Sequence, residues 1–332
     1  MFCMNNLLPK NKDGCPTLLL APMEGLGDVT FRRAMTTIGG FDQACTEFIR
    51  VPINAHIPSL SSRYNSLDTY PIPQAAQLMG SDPILMGEMA RAIEAKGAPR
   101  IDLNCGCPSN TVTGRGAGSS LLKDPEHLYK VAKAMVEAVS IPVTAKLRSG
   151  FDDTSLFKEN VLAAQESGIR FMTLHPRTKV DGYGPPARWE LIAEAKSLLK
   201  IPLVGNGDIG CVDDALKMLK TTACDALMIG RASATNPFLF HQIKAHFAGQ
   251  VYQPEWSQME IFFHTFFDGL RELPSRSQIN KLKQIFGCLF KATPRLMEHR
   301  QQMLTAQCDS GEAFLTHSLS IYRQGWGSSE EC

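Results

Sequence analysis

The sequence lacks a dominant charge of either sign. Its 332 residues hold 34 Lys and Arg against 33 Asp and Glu, a net charge of +1. A global basic field for nucleic acid is therefore excluded, and any attraction to phosphate must come from a local patch. Long apolar runs are missing as well. None approaches the ~18 residues that a membrane-spanning helix needs. Met1 to Cys15 has neither the apolar core nor the small-residue cleavage site of a signal peptide. These absences predict a cytoplasmic protein with no membrane partner.

Disulfides and metal are not expected either. Ten cysteines are present, but only Cys105 and Cys107 lie close together. In a chain of this size with no secretory signal, reduced thiols are the expectation. No second Cys or Cys/His pair stands at metal spacing, so a tetrahedral zinc site would lack two ligands. A disulfide between residues two apart would be strained. Nucleotide fingerprints are absent too. The glycine loop GRGAGSS (114–120) has neither the GK[ST] ending of a triphosphate loop nor the GxGxxG of a dinucleotide site. It reads as a mobile loop over a site.

What is present is a regular alternation of short apolar runs and capped helical stretches. Strands read over 18–21, 44–49, 74–78, 101–103, 141–147, 171–174, 201–204 and 226–229. Helices are signalled by Asp28, Asp82-Pro83, Asp124-Pro125, Asp153 or Thr154, Arg188, Asp213 or Asp214, and Asn236-Pro237. Residues 54–73 read as loop. The strands are apolar and mostly non-alternating, as for parallel strands buried on both faces. Eight strands within about 240 residues predict the α/β class and a (β/α)8 TIM barrel. After about residue 250 only helical patterns remain, so the expected domains are 1–245 and a small helical 246–332. Between 271 and 300, seven basic residues including Lys281 and Lys283 face only Glu272 and Glu298, a local basic surface suited to phosphate.

In such a barrel, chemistry sits at the C-terminal strand ends. These carry Pro22-Met23-Glu24, Glu47-Phe48, Gln77, Asn104 to Cys107, Lys146 to Arg148, His175 to Arg177, Gly205 to Asp208, and Gly230-Arg231. GNGDI after the seventh strand and MIGRA after the eighth suit a phosphate, with backbone N–H groups and Arg231 as donors. Lys146 and His175, on neighbouring strands, could stabilise negative charge on the N1 and O2 edge of a reduced flavin. Of the two thiols, period-two alternation puts both on one side and does not choose. Cys107 lies nearer the glycine loop, beside Pro108.

APMEG (21–25), TEF (46–48), QLMG (77–80), DLNCGCPS (102–109), KLRSG (146–150), HPRT (175–178), GNGDI and GRA together resemble the tRNA-dihydrouridine synthases. DLNCGCPS with TEFIRV is most similar to the branch acting on uridine 16 of the D-loop. The resemblance implies an FMN-binding TIM barrel with a helical tRNA-binding domain, and NADPH (or NADH) as reductant. It implies that hydride passes from flavin N5 to uracil C6 and that Cys107 protonates C5. A thiol with pKa near ~8.5 keeps its proton at neutral pH and can serve as a general acid. The implied FMN contacts are Pro22, Met23, Glu24, Gln77, Lys146, His175, Asn206, Gly207, Asp208, Gly230 and Arg231. Arg50, Asn104 and Arg148 would face the uracil or its tRNA, and Lys281 and Lys283 the tRNA backbone. A monomer is the default. The alternative is a flavin TIM-barrel oxidoreductase acting on a free small molecule such as a dihydropyrimidine. The basic helical domain speaks for RNA, because a small-molecule enzyme has no need of it.

Overall fold

The structure is a computed structural model that describes residues 7–108, 116–184, 186–292 and 294–326. Its contacts divide the chain into two compact units, Met1–Pro22 with Phe41–Ile229, and Met23–Gly40 with Gly230–Cys332.

The first unit is built on a closed parallel barrel. Its strands are β1 (Leu18–Leu20), β2 (Gln43–Cys45), β4 (Gln74–Met79), β5 (Ile101–Cys105), β6 (Val143–Gly150), β7 (Met172–Thr178), β8 (Leu203–Asn206) and β9 (Ala226–Ile229). Each pairs in parallel with the next around the ring, and β9 returns to β1. The predicted TIM barrel is therefore observed. The two-residue β3 (Ile49–Arg50) also pairs with β4. The single strand predicted over 44–49 is thus interrupted at Thr46 to Phe48. Gln77 N donates to Thr46 Oγ1 at 3.0 Å, a side-chain bond standing in the gap. The predicted loop 54–73 holds a short helix, α2 (Ile57–Ser61).

Helices α3 (Pro83–Glu94) and α4 (Pro125–Ala138) start where the sequence signals them. Asp82 and Asp124 accept from the backbone N–H three residues on, at 2.9 and 3.0 Å, and proline occupies the next position. The remaining helices of this unit are α5 (Phe157–Glu166), α6 (Glu190–Leu198) and α7 (Val212–Thr222).

Several strands alternate where non-alternation was expected. In β5, β6 and β7 polar residues stand at every second position: Asp102, Asn104; Thr144, Lys146, Arg148; Thr173, His175, Arg177. Phe171 and Val204 belong to an apolar cluster with Leu8, Leu19, Ala21, Ala226 and Met228. Period two then puts Thr173, His175 and Arg177 on the Phe171 face, toward the barrel interior, and Asn206 on the Val204 face. The interior is thus apolar on the β1, β8 and β9 side and polar along β5 to β7. Between Arg148 and Gly150 the β6–β7 register shifts, opposite Pro176. Proline has no N–H for the ladder, and a bulge absorbs the missing donor.

The second unit is helical. It comprises α1 (Val29–Ile38), α8 (Ala232–Thr235), α9 (Leu239–Phe247), α10 (Trp256–Asp268), α11 (Ser275–Ala292), α12 (Met297–Thr305) and α13 (Gly311–Gln324). Its core is aromatic. Phe263 stacks on Phe286 at 4.2 Å between centroids, and Phe31 of α1 meets Phe262 edge-on at 6.3 Å. Each buried Phe contributes roughly 2 kcal/mol of transfer free energy. Asp28 caps α1 at Phe31 N and also receives Lys281 Nζ at 2.7 Å. Among the described residues no helix is long and apolar enough to cross a membrane.

Candidate active site

The two thiols separate clearly. Cys105 is the last residue of β5 and is fully buried. Burial, with a smaller effect from the Asp102 charge, pushes its thiol well above the usual cysteine range. Cys107 is only partly buried and packs beside Phe48, Met79 and Ala117. The strand ends at Cys105, so period-two alternation does not extend to Cys107. Asn104 Oδ1 accepts from both Gly106 N and Cys107 N at 2.9 Å, turning the chain out of the strand.

A hydrogen-bonded chain runs from the barrel interior to this turn. Gln77 Nε2 donates to Asp102 Oδ2, and Asn104 Nδ2 donates to Gln77 Oε1, both at 2.8 Å. Asp102 Oδ1 accepts from Thr144 Oγ1 at 2.6 Å, which itself accepts from Arg100 at 2.6 Å. From the other side, Arg148 Nε donates to Gly106 O at 2.8 Å, and its Nη1 to the carbonyls of Thr178 and Gly182. Arg148 also lies over the Tyr183 ring.

Lys146 stands opposite Asn104 in the β5–β6 register. Burial, then the nearby Arg148 charge, pull its ammonium down to about 8, against a smaller upward pull from Asp102 and Cys45. Its Nζ has no hydrogen-bond or ion-pair partner among the described residues. A half-buried cation with no hydrogen-bonded anion leaves room for an anionic ligand.

His175, buried, receives Arg177 Nη1 at Nε2 at 3.2 Å. Arg177 Nη2 pairs with Asp208 Oδ2 at 2.6 Å. Gly207, with φ +114°, lies so near His175 that a Cβ there would come within 2.8 Å of its Cδ2. Asn206 donates to Met228 O at 2.8 Å.

The structure therefore brings Gln77, Asn104, Arg148 and the Cys107 turn into one bonded cluster, with Lys146 in the register beside Asn104. A second cluster holds His175, Gly207 and Asp208. Pro22 ends the barrel segment after β1, and Arg50 lies in β3 opposite Met79. Met23, Glu24, Gly230 and Arg231 belong to the helical unit, with Glu24 and Arg231 exposed. So do Lys281 and Lys283. Lys281 is tied to Asp28. Lys283 donates to Ala306 O at 3.3 Å and lines a cleft of about 430 Å³ with Arg276, Asn280 and Asp309. Residues 109–115, which include Gly114 and Arg115 of the glycine loop, lie outside the described residues, and the loop's end, from Gly118, runs into a 3-10 helix, Gly118–Lys123. Among the described residues no group of three or more His, Cys, Asp or Glu could hold a metal.

Sequence reading missed Asp102, Arg100 and Thr144. The signal was there: Asp102 is a charge between Ile101 and Leu103 in a buried strand, and buried carboxylates are rare unless paired.

Comparison with known proteins follows this geometry. The family model described as "Dihydrouridine synthase (Dus)" matches residues 19–312. The chain belongs to the dihydrouridine synthase family. A protein of Pseudomonas putida named "tRNA-dihydrouridine(16) synthase" is 37% identical over 288 residues, covering 83% of this chain and 89% of that one. One of Ralstonia nicotianae with the same name is 34% identical over 320 residues, covering 91% and 96%. Among solved structures, a 2-naphthoyl-CoA reductase complex superposes with a TM-score of 0.52 at 14% identity. The match covers 70% of this chain and 50% of that one, and supports the fold alone. This dihydrouridine synthase thus carries its family's Asn-x-Gly-Cys-Pro element on the turn that Asn104 caps.

Proposed function

We propose that this enzyme reduces a uridine in the D-loop of tRNA, at position 16, to 5,6-dihydrouridine, using FMN and NADPH. The observation that carries the reading is the contrast between the two thiols. Cys105 is sealed in the barrel wall, whereas Cys107 is partly open on a turn at a strand's C-terminal end. The names of the relatives support tRNA and position 16.

The residues present fit FMN. Lys146 is a half-buried cation with no hydrogen-bonded anion among the described residues, suited to the N1 and O2 edge of a reduced flavin. Gly207 brings the backbone against His175 where no Cβ fits. Pro22, Gln77, His175, Asn206 and Asp208 complete the assignment within the barrel unit. Met23, Glu24, Gly230 and Arg231 are assigned to the same cofactor from the family's motifs. Bound FMN, reduced by NADPH, would supply hydride to C6 of the uracil. Cys107 Sγ gives its proton to C5 and leaves as thiolate, to be reprotonated from solvent. Arg148 and Asn104 hold the backbone that carries Cys107. The uridine must leave its stack, and a tRNA loop lowers that cost.

Residues 1–245 are the catalytic part and 246–332 the tRNA-binding part, acting as a cytoplasmic monomer. The Arg276–Lys283 cleft and Arg50 are the phosphate contacts. The test is purification followed by assay. The protein should be yellow, and with NADPH it should form dihydrouridine at position 16 of unmodified tRNA. Product at another position would overturn the target assignment. No flavin uptake and no product would overturn the function.

A further inference from the structure

The Asn104 cap that holds Cys107 has a direction, and the direction is not set by Asn104. Side-chain amides are pseudo-symmetric, with a donor on one arm and an acceptor on the other. Something acceptor-only or donor-only must orient them. Arg100 can only donate, so Thr144 Oγ1 accepts from it at 2.6 Å and gives its own proton to the nearer of two acceptors, Asp102 Oδ1 at 2.6 Å rather than Ile101 O at 3.4 Å. Asp102 is the one acceptor-only group on the chain. Its Oδ2 forces Gln77 to present Nε2, hence Oε1 toward Asn104. Asn104 must then present Nδ2 to Gln77 and Oδ1 to Gly106 and Cys107.

We propose that Asp102 is a positioning residue. Its buried carboxylate sets the polarity of the Gln77–Asn104 relay and thereby holds the Cys107 turn in place. The inference deepens the proposed function, since it rests on Cys107 being the proton donor. Asp102 is buried and acts through two amides.

The consequence of Asp102→Asn follows step by step. Thr144 still offers a proton, so Asn at 102 keeps its oxygen toward Thr144 and turns its NH2 toward Gln77. Gln77 must then flip, which flips Asn104. The NH2 of Asn104 would meet the N–H groups of Gly106 and Cys107, donor against donor. Both caps are lost. A second change repairs this. In Asp102→Asn with Asn104→Asp, the whole relay reverses: residue 102 donates to Gln77, Gln77 donates to residue 104, and its carboxylate accepts from Gly106 and Cys107. Net charge is that of the parent.

Residue-resolved amide hydrogen exchange on the full-length protein tests the proposal. Asp102→Asn should raise exchange at Gly106 and Cys107 by about tenfold or more, while the β5–β6 ladder amides change little. The double variant should restore protection at both. A uniform rise across the sheet, unchanged caps in the single variant, or an unprotected double variant would each overturn the proposal. If Asp102→Asn does not fold, a folded and protected double variant still supports it. A double variant that also fails to fold would show that Arg100 needs the charge at 102, and would overturn it. A parallel dihydrouridine assay separates the two readings. Caps lost in Asp102→Asn with product formation unchanged would leave the relay standing and remove Cys107 from catalysis.

Discussion

Arg177 donates from Nη1 to Nε2 of His175 at 3.2 Å and pairs through Nη2 with Asp208 Oδ2 at 2.6 Å. Arginine only donates, so Nε2 accepts and the imidazole proton sits on Nδ1. One guanidinium thus sets both the tautomer of His175 and the seat of the loop after β8.

Gly207 shares that seat. Gly207→Ala adds a Cβ 2.8 Å from His175 Cδ2, at a φ of +114° that L side chains rarely adopt. The variant should lose about 1–3 kcal/mol of stability. It should also purify with less flavin, because His175 has to move. Denaturation midpoints and bound-flavin absorbance measure the two effects, and parent values for both would refute the assignment.

Cys107→Ala should keep the fold and bind tRNA and FMN, yet lose about 10²–10⁴-fold in dihydrouridine formation, the range for a missing general acid. Cys105→Ala should do the reverse. It leaves a small void in the barrel wall, costing roughly 1 kcal/mol, with turnover close to the parent's. Single-turnover assays and thermal melts on the pair decide it. A larger rate loss at Cys105 would reverse the roles.

Lys146 predicts a pH-dependent stability in the flavin-free protein. Its folded pKa, about 8, lies below the ordinary 10.5. Below pH 8 both states hold the proton, and the folded state bears the whole cost of the desolvated charge. Between pH 8 and 10.5 the unfolded chain holds more protons, so stability rises with pH across that window. Lys146→Met should therefore be more stable than the parent at pH 7, and the advantage should shrink by pH 10. Urea midpoints at the two pH values test this, and an equal difference at both would contradict it.

Lys281 and Lys283 divide a question about tRNA binding. Lys283 lines the cleft with Arg276, whereas Lys281 is paired with Asp28. Lys283→Ala should weaken binding and reduce the salt-dependence slope by about 1. Adding Lys281→Ala should reduce it by about 1 more only if that lysine leaves Asp28 for a phosphate. A slope unchanged in both variants would place the tRNA elsewhere.

Much of this molecule could be read without coordinates, for local reasons. Asp82-Pro83 and Asp124-Pro125 start helices because a carboxylate three residues before an N–H caps it, whatever else surrounds it. The order of strands located Lys146 in β6, His175 in β7, and Cys107 and Gly207 just beyond β5 and β8, because short apolar runs mark the strands one by one. Reading failed where the deciding contact is distant in sequence. The strand through 44–49 breaks at Thr46, whose hydroxyl bonds to Gln77 31 residues away. The polar interior positions of β5 to β7 looked like part of apolar runs because these strands are buried on both faces.

The family's cysteine element, the barrel and the helical tail with its basic residues were determined by the sequence, since each depends on residue types at short spacing. Which thiol is open was decided only by the tertiary structure. Cys105 and Cys107 have near-identical local surroundings in one dimension. They part because Asn104 caps a turn, Gln77 orients Asn104, and Asp102 orients Gln77, and those three come from two strands, 25 residues apart in the chain from Gln77 to Asp102, that only their pairing in the folded sheet brings into hydrogen-bonding distance.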